Sequence, residues 1–265
     1  MAVDYHIIPP PAHLSSYVRF FWTLEGDSAY IHRRMADVSP ELIFHYKGQF
    51  NLLTPDEGDK SYFLSGIHGP SHTVSRFSTN KSFGIFGAYL YPHVIPELFE
   101  IPTTEFKSEM VDMETLLGPD GRQLKDKMLS APDNQARLTI LSDYLSAKLQ
   151  VRSNKPAVFE AIEHIIQQRG LIRVNEVASK CGLSERQFGR NFKKASGFTP
   201  KFFARIVRFQ TAMESFGLET QTMAEIALKC GYYDQSHFIH EFKEFSGYLP
   251  GEFFAGNTEG TEWLK

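Results

Sequence analysis

The chain has 265 residues, enough for two domains of ordinary size, and a hydrophobic content of 42% allows each domain its own core. Two cysteines give no disulfide framework, and no stretch approaches the ~18 apolar residues of a membrane span. The N-terminus has no basic region followed by a long apolar run, so we expect a soluble protein of a reducing compartment. A formal net charge of −3 would argue against a nucleic-acid partner if it were spread evenly.

Short segments rich in aromatic and β-branched residues alternate with Gly, Pro, Asp and Ser up to about residue 110. The segments are Tyr17–Leu24, Tyr30–Met35, Glu41–Tyr46, Ser61–Leu64, His72–Phe77 and Ser82–Tyr91. Their spacing predicts a mainly-β domain with a barrel-like or sandwich-like architecture. We expect Pro92, Pro96 and Pro102 to end the β region.

Two helices are predicted after the β region, over Arg122–Leu129 and Asn134–Gln150. The second carries a stripe of leucines at helical spacing, namely Leu138, Leu141, Leu145 and Leu149. The stripe either packs into the core of the same chain or forms the face of a homodimer. We assign residues 1–152 to this first domain, a sensor or dimerisation domain with trailing helices.

A polar segment without apolar residues, Arg152–Pro156, predicts the boundary between two domains. The sequence beyond it has helical periodicity, starting with Ala157–Gln168. The predicted fold class is therefore α+β with two domains, in which residues 153–258 form an all-α domain.

One pattern of residues occurs twice in this all-α part, about fifty positions apart. The first copy is Val177-Ala178, Cys181-Gly182-Leu183, Phe188, Phe192-Lys193, Ser196-Gly197 and Pro200. The second is Ile226-Ala227, Cys230-Gly231-Tyr232, Phe238, Phe242-Lys243, Ser246-Gly247 and Pro250. The offset is 49 up to the glycine and 50 from the first phenylalanine onward, so the second copy has one extra residue at its turn.

Each copy has the features of a helix-turn-helix, in which two short helices cross steeply and the second presents its outer face to the DNA major groove. The crossing needs a small residue, which Ala178 and Ala227 provide. The turn needs a residue that tolerates positive φ, which Gly182 and Gly231 provide. The repeat therefore predicts two helix-turn-helix units in one chain.

The ends of the predicted helices also carry recognisable residues. Ser184 and Gln187 have the spacing of a capping box, and Asp234 is the expected N-cap in the second copy. Thr199-Pro200 predicts the start of a connector helix that runs to about Phe216. Such a helix would be ~27 Å long, comparable with the ~34 Å between successive major grooves on one face of DNA.

Phenylalanines anchor one face of each second helix in the predicted core and leave a polar outer face. In the first copy we expect DNA contacts from Arg186, Gln187, Arg190, Asn191, Lys193 and Lys194. In the second copy we expect them from Gln235, Ser236, His237, His240 and Lys243. Arg and Lys suit guanine edges, whereas Asn and Gln suit adenine. On the connector, Lys201, Arg205 and Arg208 could touch phosphate, although Arg208 could instead brace the two halves.

Charge is distributed unequally between the two copies. Ten basic residues face two acidic ones between Arg169 and Arg208, a local balance of +8. From Phe209 onward three basic residues face nine acidic ones, a balance of −6. The basic segment is the size of a domain and indicates a polyanionic partner.

The segment Gly231–Phe238, followed by Phe242-Lys243, Ser246-Gly247 and Pro250, resembles the AraC/XylS family of bacterial transcription regulators. The resemblance covers Pro156–Phe254 and includes Arg208–Ala212 of the connector. It implies a bipartite DNA-binding domain with seven helices that controls transcription near promoters, usually as an activator. We therefore expect double-stranded promoter DNA and RNA polymerase as partners, a cytoplasmic location at the bacterial nucleoid, and no cofactor.

Two positions depart from the family pattern. An arginine commonly occupies the position of His240, and a large polar residue often stands at the position of Gly189. Together with the acidic balance, these departures predict that the second copy binds DNA less tightly and less specifically than the first.

The N-terminal half resembles, more weakly, the sensor-like domain of one subgroup of these regulators. The matching pieces are Phe21-Trp22, Pro40–Ile43, Gly69-Pro70, Gly87–Pro92, Pro102–Phe106 and Leu116–Gly118. The subgroup implies no particular ligand. The half could sense an unidentified small molecule, mediate dimerisation, or both.

A rival hypothesis is a cupin-like metalloenzyme domain fused to a DNA-binding tail. The β half contains His32, His45, His68, His72 and His93, but no His-x-His, His-Glu-x-x-His or Cys-x-x-Cys spacing. We expect each histidine to be a surface residue or a satisfied polar one. We accordingly expect no metal site and no enzymatic activity.

Overall fold

The structure is a computed structural model that describes residues 3–54, 58–61, 63–106, 110–149, 156–215 and 222–255. Ten strands lie in the N-terminal half. They are β1 Asp4–Ile8, β2 Val18–Gly26, β3 Tyr30–Arg34, β4 Glu41–Lys47, β5 Asn51–Thr54, β6 Gly58–Ser61, β7 Ser65–His68, β8 Ser75–Thr79, β9 Phe83–Leu90 and β10 Met110–Asp112.

The strands form two antiparallel sheets, one of six strands in the order β1-β2-β9-β4-β7-β10 and one of four in the order β3-β8-β5-β6. Side chains from both sheets meet in one apolar cluster that includes Trp22, Ile43, Phe50, Phe77 and Phe83. Within the described residues the sheets are open and do not close into a barrel. The domain is therefore a sandwich, the second of the two predicted architectures.

Four of the predicted strand segments match observed strands closely, but two are misplaced. The predicted segment Ser61–Leu64 falls at the end of β6 and the start of the link to β7, where Phe63 and Leu64 are exposed. Where a strand was predicted over His72–Phe77, the observed strand β8 begins later, at Ser75. The Ser71 hydroxyl is hydrogen-bonded to the backbone of Thr73 and holds a turn before β8. Aromatic composition indicates that a strand is nearby but does not set its boundaries.

Four helices cover the six-stranded sheet and complete the N-terminal half. They are α1 Val94–Phe99, α2 Met113–Leu117, α3 Pro119–Ser130 and α4 Asn134–Lys148. Pro96 lies inside α1 and β10 follows Pro102, so the expected end of the β region at these prolines was wrong. The leucine stripe of α4 packs into the core of the same chain, where Leu141 and Leu145 are fully buried.

Seven α-helices lie in the described residues 156–215 and 222–255 of the C-terminal half, the number that the family resemblance implies. They are α5 Ala157–Gln167, α6 Val174–Lys180, α7 Glu185–Ser196, α8 Pro200–Ser215, α9 Met223–Lys229, α10 Gln235–Ser246 and α11 Pro250–Phe254. The predicted domain boundary at Arg152–Lys155 lies outside the described residues, as do residues 256–258 at the predicted end of the domain.

The two halves share a core. Met35, Ala36 and Val38, which follow β3, belong to the same apolar cluster as the phenylalanines of the C-terminal helices. His93 stacks on Phe159 of α5 with ring centroids 4.9 Å apart. The segment after β3 therefore packs as part of the helical domain.

Candidate nucleic-acid interface

The first helix-turn-helix unit consists of α6 and α7, and the second consists of α9 and α10. Ala178 and Ala227 are buried where the helices of each pair approach each other. Gly182 and Gly231 have φ values of +67° and +74°, so both turns use the left-handed conformation that glycine adopts without strain. The predicted positive φ of both turn glycines is confirmed, and both small residues are buried as expected.

The second helix of each unit, called here the recognition helix, begins at a defined cap. The Ser184 hydroxyl accepts a hydrogen bond from the backbone N–H of Gln187, whose side chain closes the capping box on α7. In α10 the Asp234 carboxylate accepts from the backbone N–H of His237 at 2.7 Å. A further capping box, Thr222 with Glu225, starts α9 and was not predicted although its spacing is visible in the sequence.

Paired phenylalanines hold each recognition helix in the core. Phe188 and Phe192 of α7 are fully buried with ring centroids 5.4 Å apart, and Phe238 and Phe242 of α10 are fully buried at 5.6 Å. This anchoring fixes which face of each helix remains outside, because side chains repeat on one face every three to four residues.

The outer face of α7 carries the residues predicted for DNA contact. Five of them are exposed and Asn191 is half-buried; the exposed ones are Arg186, Gln187, Arg190, Lys193 and Lys194. The Gln187 side-chain oxygen accepts hydrogen bonds from the Ser184 backbone N–H and hydroxyl. Its amide NH₂ is the group that remains to donate a hydrogen bond to DNA. The face presents four cations without a carboxylate among them.

The outer face of α10 is exposed at all five predicted positions, namely Gln235, Ser236, His237, His240 and Lys243. His237 is engaged locally: its Nδ1 accepts from the Tyr233 backbone N–H at 3.4 Å, and its Nε2 lies 3.7 Å from the Glu241 carboxylate. Lys243 is the single fixed cation among these five residues.

Arginines of the connector helix α8 hold the second unit. Arg205 donates from Nε to Glu241 and from Nη2 to Glu244, both at 2.7 Å. Arg208 donates to the Gly231 carbonyl at 3.2 Å, which places it at the turn of the second unit. Arg208 thus has the bracing position that the sequence left open.

The pairing of Arg205 with two carboxylates bears on its expected contact with phosphate. The guanidinium of Arg205, expected to touch phosphate, is occupied on two sides by carboxylates, whereas Lys201 on the same helix is exposed. Sequence reasoning missed Glu241 and Glu244. Their signal was present, because they stand where the first unit has Asn191 and Lys194.

The N-terminal half contacts both recognition helices at equivalent positions of the repeat. The Thr103 hydroxyl donates to the Ala195 carbonyl at the end of α7 at 2.8 Å. The Ala36 backbone N–H donates to the Phe245 carbonyl at the end of α10 at 3.0 Å. Helix ends leave carbonyls without intrahelical partners, so the β domain caps the same carbonyl in both units.

Arg33 extends the second of these contacts. Its Nε donates to the Ser246 carbonyl at 3.2 Å, and its guanidinium lies 3.9 Å from the centroid of the Tyr248 ring. At the equivalent place in the first unit, His72 lies edge-on to Phe198 with ring centroids 6.1 Å apart. Both recognition helices are thus held at their C-terminal ends by the N-terminal domain.

The expectation for the histidines was wrong for His32 and His45. Both line a cavity between the two sheets with His68, and their Nδ1 atoms have no hydrogen-bond partner within the described residues. Their identity as cavity residues depends on strand register, which no spacing in the sequence revealed. Among the described residues no group of three His, Cys, Asp or Glu side chains is placed to hold a metal ion.

Both cysteines are free thiols, and Cys230 is buried while Cys181 is half-buried. Burial raises the pKa of Cys230 and of Cys181, so neither has the activated thiolate of a reactive cysteine. Within the described part of the chain, no helix combines the length and apolarity that a membrane crossing requires.

The sequence matches two families of known domains. Residues 177–256 match a family described as a helix-turn-helix domain, and residues 6–112 match a domain of unknown function, DUF6597. The first match contains both recognition helices and the connector between them.

Relatives and solved structures extend these matches. The chain is 37% identical over 82 residues to the transposon Tn10 TetD protein of Escherichia coli, and 30% identical over 81 residues to the HTH-type transcriptional activator RhaS of Klebsiella pneumoniae. Each match covers 31% of this chain, but only 58% of TetD and 29% of RhaS. A crystal structure of ToxT from Vibrio cholerae aligns over 96% of this chain and 98% of its own, with 10% identity and a TM-score of 0.48.

The fold contains two helix-turn-helix units, and the match to a family of helix-turn-helix domains covers both recognition helices. The C-terminal half is thus similar to part of the transcriptional activator RhaS, and the N-terminal half matches a domain family of unknown function.

Proposed function

We propose that the protein binds promoter DNA with its two recognition helices in successive major grooves on one face of the duplex. The observation that carries the proposal is the repeat itself: two equally capped and equally anchored helices present exposed polar faces. The connector α8 has 16 residues, which corresponds to about 24 Å and is a large part of the ~34 Å groove repeat.

The first unit supplies most of the affinity and the sequence preference. Its outer face carries Arg186 and Arg190 for base edges and Lys193 and Lys194 for phosphate, and all four are exposed. In the second unit, Gln235, Ser236 and His240 are exposed hydrogen-bonding groups without a guanidinium among them. The carboxylates of Glu241 and Glu244 are engaged by Arg205. Arg205 and Arg208 serve as braces that fix the angle between connector and second unit, and Lys201 supplies the connector's phosphate contact.

We further propose that the N-terminal domain controls how the two recognition helices are presented. Support comes from the equivalent carbonyls of Ala195 and Phe245, both of which accept hydrogen bonds from this domain. A change in the domain that moves one contact relative to the other would change the fit of both helices to DNA. An effector, or a second copy of the chain, would act by this route.

Activation through RNA polymerase is the proposed outcome of binding at the bacterial nucleoid, since RhaS carries the name of a transcriptional activator. The leucine stripe of α4 packs into the core of the same chain, so a homodimer would have to use a different surface. The alternative of a metalloenzyme domain gains no support from the described histidines.

The test is selection of binding sites from a random duplex library by the full chain, followed by affinity measurement at several salt concentrations. We expect enrichment of two half-sites whose centres lie about 10 base pairs apart, the better defined one belonging to the first unit. A selected pool with no common motif, or with a single half-site, would overturn the two-groove proposal.

A further inference from the structure

A cavity with a volume of about 30 Å³ and a mainly apolar lining lies between the two sheets of the N-terminal domain. Its polar lining consists of Arg34, Glu41 and the histidines 32, 45 and 68, while Phe50 and Phe77 belong to its apolar walls. Since roughly 10–15 Å³ of cavity volume holds one water, this cavity accommodates on the order of two to three water-sized groups.

Strand alternation brings these side chains together. His32 and Arg34 are two residues apart on β3, and Glu41, Ile43 and His45 follow the same alternation on β4, so each set points to one face. The two strands belong to different sheets, and their inward faces meet at the cavity.

Several polar atoms in this cavity make no hydrogen bond to any described residue. The buried Arg34 donates from Nη2 to the Gly69 carbonyl at 2.7 Å, but its Nη1 has no hydrogen-bond partner within the described residues. The same holds for the Nδ1 atoms of His32 and His45. Buried polar groups of native proteins are nearly always satisfied, so this set of donors and acceptors is suited to bind a small polar group.

The charge of the lining favours an anion. Arg34 remains cationic in any protein environment, and its Nε is 3.9 Å from the Glu41 carboxyl, beyond hydrogen-bonding distance. Burial raises the pKa of Glu41 to about 8, although Arg34 opposes this, so near neutral pH the carboxyl is a weak counter-ion. Burial, with a smaller effect of Arg34, lowers the pKa of His32 to about 4, so this imidazole is neutral and can donate one N–H hydrogen bond.

We propose that this cavity is a binding site for a small carboxylate of about three to four non-hydrogen atoms, held by Arg34 and by the imidazoles of His32 and His45. A carboxylate offers two oxygens to the Arg34 donor and to imidazole N–H groups, and its charge compensates the guanidinium. The apolar walls suit a short carbon substituent.

The site is one residue away from a contact with the second recognition helix. Arg33 lies between His32 and Arg34 on β3, and alternation turns it to the opposite face, where it binds the Ser246 carbonyl. Two residues after Arg34, the Ala36 N–H binds the Phe245 carbonyl. A ligand that shifts β3 therefore shifts both contacts, and this second part of the inference rests on the proposed DNA-binding function.

Binding is tested with formate and acetate as probes on the full chain. The sequence has two tryptophans, Trp22 in the cavity wall and Trp263, so a Trp263→Phe background assigns the fluorescence to Trp22. We expect a saturable change in Trp22 emission with either carboxylate, and none with acetamide or with chloride at equal ionic strength. A response identical to that of chloride, or no saturation, would mean that the cavity holds water only and would overturn the proposal.

Variants locate the site. Arg34→Met and, separately, His45→Leu should each weaken acetate binding at least about tenfold, whereas Arg33→Ala on the opposite strand face should leave it unchanged. If Arg34→Met does not fold, His45→Leu decides alone. Unaltered acetate binding in the folded cavity variants would refute the assignment.

Coupling is measured separately, as the affinity for a selected DNA site with and without saturating acetate. We expect acetate to change this affinity about fivefold or more in the parent chain, and Arg33→Ala to abolish the change without affecting acetate binding. If acetate binds and DNA affinity stays the same, the coupling is wrong and the carboxylate site stands. If the chain ignores DNA altogether, the proposed function fails, while the Trp22 titration still judges the site.

Discussion

Ser184 and Asp234 begin the recognition helices of the two units in the same way, whereas Asn191 and Glu241, which are also equivalent, have different environments. Asn191 is half-buried on a face rich in cations, and Glu241 is buried in a bond to Arg205. The repeat therefore preserves the residues that build a helix-turn-helix and varies the residues around each recognition helix. We infer that the two units share a scaffold and differ in their contacts: the first carries most of the base preference, and the second makes weaker DNA contacts.

The largest expected effect comes from removing the arginine of the connector helix that holds the second unit. Arg205→Ala leaves the buried Glu241 carboxylate without its main partner, and loss of one member of such a pair costs about 3 kcal/mol of unfolding free energy. Chemical denaturation of the full chain measures the change. Lys201→Ala, an exposed position on the same helix, is the matched control and should change stability by less than about 0.5 kcal/mol.

The next comparison concerns two equivalent outward positions, Arg190 and His240. Arg190→Ala should cost about 1–3 kcal/mol of binding free energy on a selected site and relax the base preference at one position. His240→Ala should cost clearly less, because an imidazole lacks the planar fork of donors with which a guanidinium binds a guanine edge. Fluorescence anisotropy on the same duplex compares the two variants, and equal losses would show that the second unit reads DNA as strongly as the first.

At the helix caps, which the two units share, we expect equivalent substitutions to have equal effects, in contrast to the outward positions. Ser184→Ala and Asp234→Ala each remove the side chain that caps a recognition helix, and each should lower stability by about 1 kcal/mol. Thermal unfolding of both variants tests this. A loss confined to one of them would mean that the two helices are not held equivalently.

The smallest effect sharpens the role of the connector. Lys201→Ala should weaken binding to all sequences about equally and reduce the slope of log affinity against log salt by about one unit, if Lys201 neutralises one phosphate. Titrations at several salt concentrations give the slope. An unchanged slope would remove Lys201 from the interface and leave the connector as a spacer alone.

Much of the C-terminal half could be predicted because local rules determine it. Gly182 and Gly231 are required by positive φ, Ser184 and Asp234 by unsatisfied helix N–H groups, and the phenylalanines by helical spacing. These causes act over a few residues, so the sequence displays them directly.

The brace and the cavity could not be predicted because they depend on distant pairings. Arg205 meets Glu241 across 36 positions, and the choice between phosphate and carboxylate as its partner is decided by the packing of α8 on α10. His32, His45 and His68 come together through the register of three strands in two sheets. The inward or outward direction of each histidine reverses with a one-residue shift of register, which composition does not specify.

Hydroxyl-radical footprinting of the full chain on a selected duplex tests the central claim most directly. The account predicts two protected tracts on one face of the DNA, about 10 base pairs apart, with Arg190→Ala weakening protection more than His240→Ala does. One tract confined to a single groove, in the presence of both intact units, would contradict it.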